Sequence, residues 1–240
     1  LEQLGLKIHR RPLTVEEKTD YVNLNNSDGS RAVFASMLMS PYFLYKMELG
    51  QWNAGESAYE LDDYELASSL AFMIWGTSPD DGLLSIAASG GLSTDEQVAS
   101  VVENMMNDSR FAENMATFIK YYTHSYQDAA EKPNLSMGVI NSMYKEQEAF
   151  VDYWLNQDDA SVYKLFNPGY TFVDGTLAQH YNISVSQADI HKVTTGRHRG
   201  GVLHQGLTHI MNSDFAATSL VKRGKMIREN MMCHTMGVPS

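Results

Sequence analysis

The sequence predicts a mainly α fold, an irregular multi-helix bundle with at most a minor strand element near Tyr170–Val173. Three observations point there. Helix-start signals recur along the chain, at Thr14 with Glu17, Asp62 with Glu65, and Thr94 with Gln97, each pairing a capping side chain with a reciprocal partner three residues on. Apolar residues recur at helical rather than alternating spacing. Strand signals are few.

The elements follow in order. Thr14 opens a helix running to about Asn23, and the cluster Asn25-Asn26-Ser27-Asp28-Gly29 is a turn. From Ser30 to Leu49, residues Val33, Phe34, Met37 and Leu38 keep helical spacing. Ser40-Pro41 must kink or restart that helix, because proline lacks an N–H and restricts the residue before it. Asp62 and Glu65 start a helix that carries Leu66, Leu70 and Ile74 and ends near Gly76. Ser78-Pro79 reads as a further start, and Gly90-Gly91 as its stop. Thr94 opens a helix through Val98, Val101, Val102, Met105 and Met106; a second run carries Phe111, Met115, Phe118, Ile119 and Tyr122. His124 to Asn134 is polar and reads as a connection. A long helix is expected from about Met137 to Asn156, and short ones at Ser161 to Phe166 and Thr176 to Tyr181. Asn182 to Gly200 reads as a loop, followed by helices from about Gly201 to Met211 and Ser219 to Met232.

Composition narrows the function classes. The chain has 240 residues, 43% hydrophobic and 20% charged, which is globular rather than disordered. Its 18 basic and 29 acidic residues give a net charge of −11, which repels phosphate backbones and argues against nucleic acid as a partner. No stretch reaches the roughly 18 apolar residues that a membrane helix needs. The chain starts at Leu1, so it reads as a processed or excised segment. With one cysteine, Cys233, it can form neither an internal disulfide framework nor a multi-cysteine zinc site.

The order of local phrases is more specific than any one of them. Arg10-Arg11-Pro12-Leu13-Thr14 comes first, then Ser40-Pro41-Tyr42-Phe43-Leu44-Tyr45-Lys46-Met47-Glu48 and Leu61-Asp62-Asp63-Tyr64-Glu65-Leu66-Ala67-Ser68. Trp75-Gly76-Thr77-Ser78-Pro79-Asp80-Asp81-Gly82-Leu83-Leu84 follows. Then come Tyr170-Thr171-Phe172-Val173 with Leu177-Ala178-Gln179-His180-Tyr181, then Arg199-Gly200-Gly201-Val202-Leu203, then Val221-Lys222-Arg223-Gly224-Lys225. Over nearly its whole length the chain resembles the planctomycete-type exported multidomain proteins of unknown function, often linked to a c-type cytochrome domain. The resemblance implies an internal fragment of a longer protein, located in the periplasm or outside the cell. It implies the end of a preceding helical domain at 1–25, a helical domain at 26–130, and a second helical domain at 131–240, incomplete at its C-terminus. The partners implied are other domains of the same protein or a c-type cytochrome. The chain departs from the family where Leu220 follows Ser219 in place of proline, and in lacking a Pro-rich stretch after the last helix. The haem-attachment sequence Cys-x-x-Cys-His is absent, so a redox role carried over from the family lies in other segments.

Candidate chemistry is sparse. Cys233-His234 is half of a haem c attachment site, with Asn230 where the first cysteine belongs; a single-thioether haem is the functional reading, and no cofactor in this segment the plain one. The resemblance favours Cys233 pairing with a cysteine outside this segment. None of the eight histidines is three or four residues from another, and His204 and His209 diverge by about 140° on a helix at about 100° per residue, so no metal-binding helix is indicated. Asp62-Asp63, Asp80-Asp81 and Asp158-Asp159 lie at expected helix starts, where negative charge suits the dipole; adjacent carboxylates do not flank a glycosidic bond. The basic cluster Arg197, Arg199, Lys222, Arg223 and Lys225 is the candidate binding surface for an anionic ligand or a neighbouring domain's carboxylates. Gly224 within an expected helix points to close approach of another backbone. The 14 methionines mostly fill apolar faces; Trp75 and Trp154 read as core, and Trp52, in a polar loop, as a possible sugar-stacking surface. The leading expectation is a helical scaffold or interaction module that docks a haem domain or partner. The alternatives are part of a haem-dependent oxidoreductase acting on a polymer or small organic substrate, and a carbohydrate-binding module.

Overall fold

A computed structural model describes residues 1–126, 129, 132–185, 187–196 and 199–237. The fold is mainly α, with two small antiparallel two-stranded sheets among the described residues. The chain forms two compact units, residues 1–111 and 112–240.

In the first unit, helices α1 (Glu2–His9), α2 (Val15–Asp28), α3 (Ser30–Met39) and α4 (Pro41–Leu44) enclose Ile8, Leu13, Tyr21, Val33 and Met37. The Thr14 capping box forms as expected, with Thr14 N–H donating to Glu17 Oε2 at 2.8 Å. Ser40 restarts the chain into α4 by accepting the Tyr42 N–H, with Pro41 at the first helical position. Residues beyond Leu44 leave the helix for a hairpin, β1 (Gln51–Asn53) against β2 (Ala58–Glu60), with Trp52 opposite Tyr59. Trp52 thus sits on a strand, not in the expected loop. Helices α5 (Asp63–Ile74), α6 (Asp81–Ala88) and α7 (Asp95–Met106) build a second core from Ala67, Leu70, Ala71, Ile74, Leu83, Ala87, Leu92 and Met105. Both expected capping boxes, at Asp62 and Thr94, are present. The start expected at Ser78-Pro79 lies two residues later. Asp80 caps α6 by accepting the Leu83 N–H at 2.9 Å, because its carboxylate also suits the positive helix end.

The second unit opens within α8 (Ser109–Tyr122) and is organised by α9 (Met137–Asn156). Around α9 lie α10 (Val162–Phe166), β3 (Tyr170–Val173), α11 (Gly175–Tyr181), β4 (His191–Thr194), α12 (Gly206–Met211) and α13 (Leu220–Met226), which ends in a π turn, Ile227–Met231. One apolar cluster gathers Ile119, Phe150, Val151, Trp154, Leu165, Tyr170, Phe172 and Val202; another gathers Met143, Val173, Leu177, Ala178 and Leu207. The expected loop over Asn182 to Gly200 contains β4, antiparallel to β3 with Tyr170 opposite Thr194 and Val173 opposite His191. Its burial alternates weakly, and its partner is some twenty residues away, so local pattern does not reveal it. The helix expected from Gly201 starts at Gly206. Gly201 takes φ +73°, and a Cβ there would stand 2.5 Å from the Phe166 carbonyl, so the preceding turn excludes a helix.

Phe150 is fully buried on α9, its ring 5.7 Å from that of Tyr170. Phe150→Ala is expected to destabilise the second unit by about 3–5 kcal/mol, read as a lowered denaturation midpoint at unchanged slope.

Candidate functional site

Helix α9 turns a polar stripe, Ser142, Glu146 and Gln147, into the core of the second unit, and all three residues are buried. Buried polar groups persist only when hydrogen-bonded. Ser142 Oγ donates to Asp174 Oδ2 at 2.7 Å, and Asp174 in turn caps α11 by accepting the Leu177 N–H at 2.8 Å. Gln147 accepts from Ser125 Oγ at 3.1 Å, and Ser125 and Thr123 hydroxyls lie 2.9 Å apart. Asn212 Nδ2 closes this corner on the Thr123 carbonyl at 3.0 Å.

Glu146 stands at the centre with no exposed surface. Thr171 Oγ1 of β3 donates to Oε1 at 2.5 Å, and Tyr181 Oη at the end of α11 donates to Oε2 at 2.7 Å. Tyr181 Oη also accepts the Gly206 N–H at 2.8 Å, the first residue of α12. Gly206 allows this approach: a Cβ would lie 2.5 Å from Tyr181 Oη and 2.6 Å from Met143 Cε. Burial pushes the Glu146 carboxyl up to about 7, against the hydrogen bonds that pull it down. Burial and the adjacent carboxylate raise Tyr181. Because both Glu146 oxygens are occupied and enclosed, the carboxyl joins β3, α11 and α12 rather than presenting a base to a substrate.

The basic residues that the sequence singles out divide around this centre. The Arg199 guanidinium stacks over the Tyr181 ring at 3.8 Å and adds positive charge near Glu146. Arg223 Nη1 lies 3.2 Å from His209 Nδ1, and His209 Nε2 lies 2.9 Å from the Leu203 carbonyl. That pair of contacts assigns the proton of a neutral ring to Nε2, leaving Nδ1 to accept from Arg223. Burial holds His209 below the usual imidazole range, consistent with the neutral form. Lys222 and Lys225 lie on the exposed side of α13, paired with Asp214 at 2.7 Å and Glu229 at 3.7 Å. Arg223 is therefore held against His209 while the two lysines face outward. Arg197 lies outside the described residues.

Other expected positions are dispersed. Trp52 is exposed and meets Tyr59 edge to face at 67°, with centroids 5.3 Å apart. Cys233 is an exposed free thiol at φ +52°, and the His234 N–H donates to the Arg228 carbonyl at 2.8 Å. Trp154 is core, whereas Trp75 is half-buried with its Nε1 donating to the Met105 carbonyl and Arg110 over its ring at 3.4 Å. Beyond its own helix, no described atom lies within 4 Å of a Cβ position at Gly224, so the close backbone approach expected there is absent among the described residues. No described group of three or more His, Cys, Asp or Glu side chains is placed to hold a metal ion, and no described helix is long and apolar enough to cross a membrane. Glu146 and Tyr181 carry no functional signal in the sequence; the local trace is an acidic residue on the apolar side of α9.

Residues 61–183, just over half of the chain, match the PSD4 family, a protein of unknown function (DUF1592), and residues 199–240 match PSCyt3, a protein of unknown function (DUF1588). Fold and site thus define a mainly helical unit built around a buried carboxyl. The chain belongs to the PSD4 family of proteins of unknown function. No curated protein and no solved structure matches it.

The Glu146 environment has a definite pH signature. Its folded pKa is raised above the usual 4.5, so the native state holds the proton longer than the unfolded chain. That contribution is fully present below about pH 4.5 and is lost as pH rises through about 7. Glu146→Gln should remove it: the melting temperature of the variant relative to wild type should climb between pH 5 and 8, whereas a constant difference would contradict the assignment.

Proposed function

We propose that this chain is a helical interaction module of an exported, cytochrome-linked protein, and that it docks the acidic face of a c-type cytochrome domain or partner through α13. The observation that carries this reading is the outward side of that helix. Leu220 and Val221 are 78% and 75% exposed, Lys222 and Lys225 flank them, and Gly224 leaves the surface bare between. Glycine in a helix costs about 1 kcal/mol relative to alanine. Among the described residues no other segment of the chain approaches Gly224, and a partner's approach supplies a reason for a glycine there. Lys222 and Lys225 pair with Asp214 and Glu229 of this chain but stay more than half exposed beside the apolar side chains, so each can exchange its carboxylate for one on an acidic partner.

The family name PSCyt3, matched over residues 199–240, supports a cytochrome as that partner. In this reading the haem belongs to the partner domain, and residues 1–240 are a piece of a longer exported protein that works in the periplasm or outside the cell. The enclosed Glu146 supports a structural centre more than an oxidoreductase site. The edge-to-face Trp52–Tyr59 pair supplies no flat platform for a sugar ring.

Binding of the chain to a c-type cytochrome with an acidic haem edge, followed by calorimetry, tests the reading. Affinity should fall about tenfold in the Lys222→Glu/Lys225→Glu double variant, and salt should weaken the wild-type complex. Gly224→Leu should raise thermal stability, since it removes roughly 1 kcal/mol of helix penalty, and yet weaken docking. Unchanged affinity in both variants would contradict a contact at α13.

A further inference from the structure

The first unit contains a cavity of about 200 Å³ that the docking reading leaves unused. Arg10, at the end of α1, lines it and is only 5% exposed. The residue closes α1 in the left-handed region, at φ 60°. Its Nη2 donates to the carbonyls of Tyr42 and Tyr45, at 2.5 and 2.7 Å, and the guanidinium carbon lies 5.5 Å from the centroid of the Phe72 ring. An arginine carries five N–H donors, and these contacts use two. Among the described residues no carboxylate pairs with Arg10: its neighbour Arg11 takes Glu17, at 2.8 and 3.0 Å.

The acids at the cavity are engaged elsewhere. Glu65 accepts the N–H groups of Leu49, Gly50 and Asp62, at 2.9, 3.1 and 3.2 Å. Asp62 Oδ1 caps α5 by accepting from Tyr64 and Glu65. Arg10 is therefore a buried cation with no ion pair among the described residues, although Asp62 and Glu65 line the same cavity, and burial lowers its pKa. Two further lining residues, His9 and Ser68, are each 4% exposed; His9 Nδ1 lies 3.8 Å from Glu17 Oε1 without a hydrogen bond, and Ser68 Oγ has no hydrogen-bond partner among the described residues. Native interiors rarely leave such atoms unpaired. The rest of the wall mixes the polar Arg11 and Gln51 with the apolar or aromatic Tyr42, Met47 and Tyr64.

We infer that this cavity binds a small organic monocarboxylate, with Arg10 as its anchor, Ser68 as a second donor and Tyr42, Met47 and Tyr64 against its apolar body. One unmatched positive charge calls for one negative charge. A liquid water takes about 30 Å³, so the space suits a molecule of a few heavy atoms and not a larger cofactor. The nearby carboxylates of Asp62 and Glu65 disfavour a dianion such as phosphate. This inference is independent of docking at α13, which belongs to the other unit.

The test titrates the whole chain with acetate, butyrate and benzoate, and separately with inorganic phosphate, by calorimetry and by the ring signals of His9 in NMR. Saturable one-to-one binding of at least one carboxylate, moving the His9 ring signals, is the expected result. Ser68→Ala should weaken it about tenfold while leaving the circular dichroism spectrum and melting temperature close to wild type. Arg10→Gln should abolish it, and if that variant does not fold, Ser68→Ala and the His9 signals decide alone. No saturable binding of any carboxylate, binding indifferent to Ser68→Ala, or phosphate binding more tightly than all three would overturn the inference.

Discussion

A single carboxyl group ties together the second unit. Glu146 is contributed by the middle of the longest helix, and its two oxygens are held by Thr171 from a strand and Tyr181 from the end of a short helix. Tyr181 passes the contact on to the Gly206 N–H, which fixes where the next helix begins. None of the short elements α10, α11 and α12, at five to seven residues, is long enough to be a stable helix on its own in water. They persist because α9 offers them apolar surface, and Glu146 makes the arrangement particular: a hydroxyl displaced from either oxygen leaves a buried carboxyl underpaired.

The same constraint separates the interior from the surface. Arg199 and Arg223, which sequence alone groups with the lysines, belong to the inner side: one stacks on Tyr181, the other is held at His209. Lys222 and Lys225 remain outside, beside the exposed Leu220 and Val221. A basic stretch read as one patch is in fact two, one bracing the polar centre and one exposed and paired with Asp214 and Glu229. In the first unit Arg10 is likewise turned inward, between α1 and the carbonyls at the end of α4.

Much of this was legible in the sequence where the signal is local. Thr14, Asp62 and Thr94 each close a capping box because the partner is three residues away, and α9 falls on Met137–Asn156 because its apolar spacing runs for five turns. What escaped depends on distant partners. The β4 strand is defined by pairing with β3, the hairpin at Trp52 by Tyr59, and Glu146 by residues twenty-five and thirty-five positions away. A buried acid and a solvated one look the same in a helix pattern; only the fold shows that Thr171 and Tyr181 are waiting for it. Family resemblance reached further than periodicity, since the phrases Tyr170-Thr171-Phe172-Val173 and His180-Tyr181 supply the two hydroxyls, though their role became visible only with their partner in place.

The architecture of the second unit rests on the state of that carboxyl, and the most direct measurement is a carbon-13 NMR titration of the Glu146 side chain in the folded protein. Burial predicts a carboxyl shift that titrates near 7, well apart from the solvated glutamates. Titration at the ordinary glutamate value near 4.5 would mean that Glu146 is solvated, and the second unit would have no buried carboxyl at its centre.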